Sequence, residues 1–216
     1  MNILLFDSSH QISGVLTEYF PSVYALHFTD KLNGKGCLSQ YVSGQDPEQL
    51  ITFDLLDDGA SSIESWLNEH HMTFDAVINN LEQWSGRTLT ETSVEQWQES
   101  LFINLHLPFL LVKAFIPYVS DKGQLIHISS TAAVSGETGD VSYASHKSGL
   151  EAFSKGLSRE LSKRKIRSNV ISISPACWEK PDGVRQIAQL LNQTCHEPIR
   201  FLNGQVITLD NGETLS

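Results

Sequence analysis

The chain has 216 residues, of which 40% are hydrophobic, and its 15 Lys and Arg against 25 Asp and Glu leave a formal net charge of −10. That length is typical of one domain with a sizeable core, and the hydrophobic share excludes a disordered tail. The acidic balance argues against nucleic acid or an anionic membrane surface as the main partner, above all in residues 1–110, where three basic side chains stand against fifteen acidic ones.

Short apolar runs alternate with amphipathic stretches along the chain. The runs predict seven strands, at Asn2–Phe6, Val23–Thr29, Leu50–Asp54, Phe74–Asn79, Gln124–Ser129, Arg167–Ser174 and Gln205–Leu209. The amphipathic stretches predict helices at Ser61–His70, Ser93–Tyr118 and Tyr143–Lys163. Because Asp30–Gln49 contains several glycines and a proline, we expect a loop there with at most a short helix. The alternation is typical of an α/β fold, a doubly wound three-layer sandwich with a seven-stranded parallel sheet, in one domain over residues 1–216.

The start of the chain and its cysteines indicate a cytoplasmic setting. No apolar run approaches the roughly 20 residues of a membrane-spanning helix, and Asn2–Phe6 lacks the features of a secretory signal. The three cysteines, Cys37, Cys177 and Cys195, are odd in number and widely spaced. This spacing favours reduced thiols over a disulfide framework or a zinc site, and we expect no metal.

The sharpest chemical feature is a tyrosine followed four residues later by a lysine, Tyr143 and Lys147. On a helix the two side chains share one face. A lysine cation beside a phenol stabilises the phenolate, so the pKa of the phenol should fall towards working pH and the phenol could act as a general acid or base. Ser130 comes thirteen residues before Tyr143 at the end of a predicted strand, where open parallel sheets build their sites.

This spacing of serine, tyrosine and lysine resembles the short-chain dehydrogenase/reductase family, which has a Rossmann-like fold. The resemblance extends along almost the whole chain, through Asp54–Leu55, Asp75–Asn80, Asn104, Ile166–Val170 with Pro175, and Gly204–Gly212. After Asp75–Asn80, Leu81 and Glu82 stand where the family has Ala-Gly. The resemblance implies hydride transfer between a nicotinamide and a carbonyl or alcohol carbon of a small molecule. In that reaction Tyr143 would protonate the carbonyl oxygen, and Ser130 would donate a hydrogen bond to it. Lys147 would lower the phenol pKa and bind the nicotinamide ribose, and Asn104 would close a proton relay.

Asn104 carries a second physical signal in Pro108, four residues further along a predicted helix. Proline has no N–H, so the carbonyl of Asn104 loses its helical partner and the helix should bend there. The freed carbonyl could hold a water, as the resemblance implies, or the proline could mark a tolerated kink in a core helix. We favour the first interpretation.

The phosphate-binding turn departs from the family pattern. The three glycines that the family has after its first strand are replaced by Asp7, Gln11 and Ser13. Glycine there allows the backbone to approach a pyrophosphate closely. Ser8 and Ser9 could still cap the following helix, whose N–H groups attract phosphate. The sequence therefore predicts a dinucleotide site that is weak or unusually shaped.

Cofactor choice depends on the end of the second predicted strand, which has no carboxylate to bind a ribose 2′-hydroxyl. His10, His27 and Lys31 are candidates to bind a 2′-phosphate, while Asp30 argues for the other cofactor, and we favour NADP(H) over NAD(H). The cofactor-binding residues implied by the resemblance are Ser9, His10, Ile12, His27, Asp54, Leu55, Asn80, Tyr143, Lys147 and Pro175.

The second departure is a shortened segment after Pro175, where family members carry a mobile substrate lid. Here Trp178 and Lys180 are followed almost directly by Pro181–Ile187, which resembles the next helix of the family. Trp178 could cover the nicotinamide or simply pack on the sheet. Most residues that would identify the substrate are therefore missing.

Two main functions remain open from the sequence, and a third, a scaffold that only oligomerises, is the least favoured. The complete serine, tyrosine and lysine set with its asparagine favours an active NADP(H)-dependent oxidoreductase. The altered glycine turn favours a non-catalytic protein on the same fold that senses a dinucleotide or binds another protein. The resemblance also implies a homodimer or homotetramer through the helices at 93–118 and 143–163, with no nucleic-acid or membrane partner.

Overall fold

Eight strands form one sheet in the computed structural model of the chain, which describes residues 1–7, 11–33, 35–54, 61–196 and 201–215. The strands are β1 (Asn2–Asp7), β2 (Ser22–Asp30), β3 (Lys35–Tyr41), β4 (Glu48–Asp54), β5 (Phe74–Asn80), β6 (Val119–Ser130), β7 (Arg167–Ile173) and β8 (Val206–Leu209). They lie in the order β4-β3-β2-β1-β5-β6-β7-β8. Every neighbouring pair is parallel except β2 with β3 and β3 with β4.

Helices cover both faces of this sheet. They are α1 (Gln11–Leu16), α2 (Ser61–Glu69), α3 (Val94–Leu101), a π turn (Phe102–His106), α4 (Leu107–Phe115), α5 (Ala132–Ser135), α6 (Val141–Glu160), α7 (Pro175–Trp178) and α8 (Gly183–His196). Along β1, Ile3 and Leu5 pack on one face with α1 and α8, whereas Leu4 and Phe6 pack on the other with α2, α4 and α6. A continuous apolar strand requires such burial on both faces. The predicted three-layer α/β sandwich is confirmed.

The prediction of seven parallel strands is wrong at one edge of the sheet. Where we expected a loop over 30–49, β3 runs antiparallel between β2 and β4, with Leu38 opposite Leu26. A Cβ on Gly36 would lie 2.1 Å from the carbonyl oxygen of His27. This glycine therefore marks a close approach of two strands, and it does not mark a loop.

The inserted strand moves Asp54 away from β1. Asp54 ends β4, and because β3 lies between them, β4 is two strand spacings, about 9.6 Å, from β2. Its carboxylate pairs with Lys35 of β3, with 3.2 Å between Nζ and Oδ2. The proposed adenine contact of Asp54 stays a prediction, and the neighbouring Leu55 lies outside the described residues.

The predicted helix over 93–118 is a continuous but irregular stretch formed by α3, the π turn and α4. In the π turn the amide of Leu107 donates to the carbonyl of Phe102, five residues back. The turn directly precedes Pro108, which has no N–H to donate to the carbonyl of Asn104. The predicted irregularity is therefore present, as a local widening of the helix.

By length and composition alone, Val94–Tyr118 is long and apolar enough to cross a membrane, and it is the one such helix among the described residues. The expectation that no apolar run approaches this length is therefore wrong for this stretch. Its side chains Leu107, Leu111 and Phe115 are buried in the core beside the sheet. Core helices of globular proteins pass the same test, and this packing accounts for the apolar character.

Candidate active site

A cleft of about 350 Å³ opens beyond the carboxyl ends of β5, β6 and β7. Ser130, the last residue of β6, and Tyr143, in the first turn of α6, both line it. Tyr143 is only 6% exposed, and Ser130 is close enough for its hydroxyl to lower the pKa of the phenol. The structure thus brings together the serine and the tyrosine that the sequence singled out.

Lys147 lies beside the phenol, one helical turn further along α6. Its Nζ is 5.5 Å from the centre of the Tyr143 ring, and the residue is 1% exposed. The ammonium donates to the carbonyl oxygens of Leu81, at 3.0 Å, and Ile128, at 3.3 Å, which take two of its three N–H donors. Burial lowers the pKa of Lys147, and the charge of Glu82 acts in the opposite direction.

The structure adds Glu82 to this group, a residue to which the sequence assigned no role. It follows β5 at a glycine position of the family pattern, and its Oε2 accepts a hydrogen bond from Tyr143 Oη at 3.3 Å. Burial, and next the charge of Glu82, raise the pKa of Tyr143 well above its usual range, while the Ser130 hydrogen bond lowers it. The expected fall of this pKa beside Lys147 is therefore wrong. The available signal was a carboxylate where the pattern has glycine.

Asn104 acts on the backbone beside Glu82. Its Oδ1 accepts from the N–H of Gln83 at 3.1 Å, and its Nδ2 donates to the carbonyl of Gln83 at 2.9 Å. Nδ2 also donates to the carbonyl of Ser100 at 3.0 Å. Because the side chain is fully buried, these bonds fix the segment that carries Glu82. The proton relay through Asn104 stays a prediction.

Asn104→Ala should lower the free energy of unfolding by about 2 kcal/mol, because it leaves the N–H and C=O of Gln83 without their partners. Urea denaturation followed by circular dichroism measures this loss. Asn68→Ala, at an exposed position of α2, is the control and should change the free energy by less than about 0.5 kcal/mol. Equal losses in the two variants would contradict the role assigned to Asn104.

At the end of β1, a carboxylate stands where family members have a glycine. Asp7 is 1% exposed and accepts hydrogen bonds from Ser13 Oγ at 2.6 Å and Asn80 Nδ2 at 3.0 Å. It therefore ties β1 to α1 and β5, near the point where doubly wound sheets bind their ligands. Asn80, a predicted cofactor contact, uses its amide in this bond. Ser9 and His10, two further predicted contacts, lie outside the described residues.

Two other predicted cofactor contacts, Ile12 and His27, have side chains that are buried inside the protein, so their contact with a dinucleotide stays a prediction. Ile12 is fully buried and packs in the core on the α1 face of the sheet. His27 is 3% exposed, and its Nε2 lies 2.7 Å from the hydroxyl oxygen of Tyr41 on the inserted strand β3. Pro175 lines the cleft, and its contact with the nicotinamide stays a prediction.

Lys31, the remaining described candidate for a 2′-phosphate, directly follows β2. Burial lowers the pKa of its ammonium, while the charges of Glu82 and Asp7 raise it. Because charges interact over short distances and both carboxylates act on Lys31, its ammonium lies near the crevice between the ends of β1 and β5. Lys31 therefore supplies positive charge to that crevice.

The segment after β7 is as short as the sequence predicts. β7 ends at Ile173 and α8 begins at Gly183, with only the four-residue helix α7 as regular structure between them. Trp178, at the end of α7, lines the cleft and also packs against the core. Both interpretations of this tryptophan are therefore compatible with its position.

Comparisons with known proteins agree on one family. A family model described as enoyl-(acyl carrier protein) reductase matches residues 39–206. The 3-oxoacyl-(acyl-carrier-protein) reductase FabG of Escherichia coli is 32% identical over 145 residues, which cover 65% of this chain and 58% of the relative. The protein of the same name from Chlamydia trachomatis is 30% identical over 137 residues, covering 62% and 55%. The chain spans less than two thirds of the length of these curated relatives.

Solved structures share the fold. A 4-hydroxyisoleucine dehydrogenase complexed with NADH and succinate is 19% identical, with a TM-score of 0.77 and 100% coverage of both chains. A short chain dehydrogenase family protein from Francisella tularensis is 16% identical, with a TM-score of 0.75 over 100% of this chain and 99% of that one. Since the family model spans most of the sequence, the chain belongs to the short-chain dehydrogenase/reductase family.

Proposed function

We propose that the protein is an oxidoreductase that moves a hydride between a nicotinamide dinucleotide and the carbonyl or alcohol carbon of a small molecule. The observation that carries the proposal is that Ser130 and Tyr143 line one cleft, with Lys147 Nζ 5.5 Å from the centre of the phenol ring. The curated relatives are named as reductases, and one structural relative is complexed with NADH. Both names support the same class of reaction.

The nicotinamide end of the site fits such a cofactor. The cleft joins the hydroxyl groups of Ser130 and Tyr143 to an apolar wall of Ile173, Pro175 and Trp178. An apolar wall with a few polar groups suits a flat ring that carries a polar edge. When bound, the nicotinamide would supply or accept the hydride at the substrate carbon.

The phosphate end of the site fits less well. Lys31 supplies positive charge to the crevice, but Asp7 places a buried carboxylate at the end of β1. A carboxylate near a pyrophosphate costs affinity, because like charges repel. We therefore propose that the dinucleotide binds weakly, with its phosphates closer to Lys31 than to Asp7.

In the reduction direction, Tyr143 acts as the acid. Its raised pKa keeps the phenol protonated at neutral pH, so it can give a proton to the substrate oxygen as the substrate carbon receives the hydride. Ser130 orients that oxygen by donating a hydrogen bond, and the Lys147 ammonium stabilises the phenolate that is left. The phenolate regains a proton from water, and the product is an alcohol.

We expect NADPH to bind more tightly than NADH, because Lys31 can pair with the 2′-phosphate, and both to bind in the upper micromolar to millimolar range. Titration followed by tryptophan fluorescence measures this, since Trp178 lines the cleft. Lys31→Met should remove the preference for NADPH. Lys163→Met, at an exposed position just after α6, is the matched control and should not. If neither NADPH nor NADH bound at millimolar concentration, the result would contradict the oxidoreductase proposal.

The two carboxylates also favour a second candidate, a non-catalytic protein that senses a dinucleotide or binds another protein. Asp7 stands at the phosphate turn and Glu82 at the phenol, and both weaken a reductase site. An assay that mixes the protein with NADPH and a panel of ketones, and follows the absorbance of NADPH, distinguishes the two functions. A reductase consumes NADPH, whereas a sensor binds it without turnover.

We also propose a homodimer or homotetramer formed through the outer faces of the helical stretch 94–118 and of α6. Leu101 and Phe109 are 36% and 42% exposed there, and the ring of Phe109 meets Phe153 of α6 edge-on. Exposed apolar side chains on neighbouring helices suit burial against a second copy. A monomer in light scattering would contradict this assembly.

We propose a cytoplasmic location because the cysteines carry free thiols. Cys37, Cys177 and Cys195 are all free cysteines. Reducing compartments keep thiols in that state, whereas oxidising ones favour disulfides. Fractionation of cells that produce the protein tests this location.

A further inference from the structure

We propose that the substrate of this site carries a positive charge close to its reacting carbonyl or alcohol carbon, as in an amino ketone or an amino alcohol. This proposal rests on the oxidoreductase function proposed above and names its substrate class. It starts from the charges around the cleft. Glu82, Glu137 and Glu179 line it, and no lysine, arginine or histidine among the described residues does.

Glu82 brings this charge to the reacting atoms. Its Oε2 lies 3.3 Å from Tyr143 Oη, so a substrate oxygen that accepts the phenol proton comes close to the carboxylate. That oxygen gains negative charge as the hydride arrives, and like charges repel strongly where water is excluded. A neutral or anionic ketone would meet this repulsion. An ammonium group next to the carbonyl would instead pair with Glu82.

Lys147 and Lys31 act against the charge of Glu82, but neither of them lines the cleft. Lys147 is 1% exposed and donates to two backbone carbonyls. The charge of Glu82 raises the pKa of Lys31, but Lys31 does not line the cleft. Within the described ranges of the chain, Glu137 and Glu179 form no ion pair. The surface that a substrate meets is therefore negatively charged.

Aromatic side chains complete a site for a cation. Trp84, Trp178 and Tyr143 line the same cleft as the three carboxylates. Trp84 is 63% exposed, so its ring is accessible to a ligand that enters. The faces of aromatic rings attract ammonium groups through the ring quadrupole. Carboxylates and aromatic faces thus act in the same direction, towards a cationic substrate.

Three aryl ketones of similar size test the proposal. They are α-aminoacetophenone, assayed at about pH 6 because its carbonyl lowers the pKa of the neighbouring ammonium group towards neutrality; propiophenone, in which a methyl group replaces the ammonium; and benzoylformate, which is anionic. With NADPH or NADH as hydride donor, the carbonyl carbon gains the hydride, the oxygen gains a proton, and the donor is oxidised. We expect kcat/KM for the cationic ketone to exceed that for propiophenone about tenfold, with benzoylformate the poorest.

Variants of Glu137 and Glu179 test whether these two carboxylates cause the preference for the cationic ketone. The double variant Glu137→Gln, Glu179→Gln keeps the shape of the cleft and removes two charges, so the ratio of the cationic to the neutral ketone should fall several-fold. Glu160→Gln, at an exposed position of α6, is the matched control and should leave the ratio unchanged. Propiophenone reduced as well as the amino ketone, or better, would overturn the proposal.

A second readout separates this proposal from the oxidoreductase function on which it rests. Quenching of tryptophan fluorescence by each ketone, without cofactor, reports occupancy of the cleft through Trp84 and Trp178. If no ketone is reduced, the oxidoreductase function fails. Preferential quenching by the amino ketone, diminished in the double variant, would then still support a cation site. Equal quenching by all three ketones would overturn it.

Discussion

Replacing Tyr143 with phenylalanine should reduce kcat/KM for ketone reduction by about 10²- to 10⁴-fold, the usual contribution of a positioned acid. The substitution keeps the ring, which is 6% exposed and lies 5.5 Å from Lys147 Nζ, and removes only the hydroxyl. Ser130 can still donate a hydrogen bond to the substrate oxygen, but its hydroxyl is a much weaker acid than a phenol. The absorbance of NADPH measures the loss.

The affinity for NADPH should not depend on the Tyr143 hydroxyl, because that hydroxyl acts on the substrate oxygen in the transition state. The Kd of NADPH, from tryptophan fluorescence, should therefore stay almost unchanged in Tyr143→Phe. Tyr19→Phe, which removes a hydroxyl beside the core on the α1 face of the sheet, is the control and should retain full turnover. Substantial turnover in Tyr143→Phe would refute the acid role.

The grouping of Ser130, Tyr143 and Lys147, the proposed catalytic trio, was predictable because local geometry fixes it. Tyr143 and Lys147 share a helix face whatever the rest of the fold does. Ser130 ends a strand that is buried on both faces, and the carboxyl ends of parallel strands meet at one edge of the sheet. A sequence therefore identifies such residues from spacing alone, provided that the helix and the strand are recognised.

The environment of the trio was not predictable, because it depends on pairings between distant segments. The inserted strand β3 pairs with β2 and places Cys37 opposite His27, and the histidine that we expected to bind a 2′-phosphate is buried there. Glu82 is visible in the sequence as a replaced glycine. Only the fold shows that Tyr143 is buried and that the Glu82 carboxylate reaches its phenol, and burial together with this contact reverses the expected direction of the phenol pKa.

Glu82→Gln should raise the rate of alcohol oxidation near neutral pH about tenfold for each unit by which it lowers the pKa of Tyr143. Oxidation needs the phenolate as proton acceptor, and Glu82 opposes the phenolate through its charge and stabilises the phenol through its hydrogen bond. Glutamine removes the charge, so the pKa falls and the rise of the oxidation rate with pH moves to lower pH. A pH profile with the neutral alcohol 1-phenyl-1-propanol measures this shift without a substrate cation.

The pH dependence of ketone reduction also tests whether Glu82 sets the proton affinity of the Tyr143 phenol. The phenol is protonated near neutral pH both with and without the Glu82 charge, so the pH profile of propiophenone reduction should stay flat there in Glu82→Gln. Glu179→Gln is the matched control, because Glu179 lines the same cleft but is not among the groups that shift the pKa of Tyr143. An unmoved oxidation profile in Glu82→Gln, or an equal shift in Glu179→Gln, would show that the contact between Glu82 and Tyr143 does not set the proton affinity of the phenol.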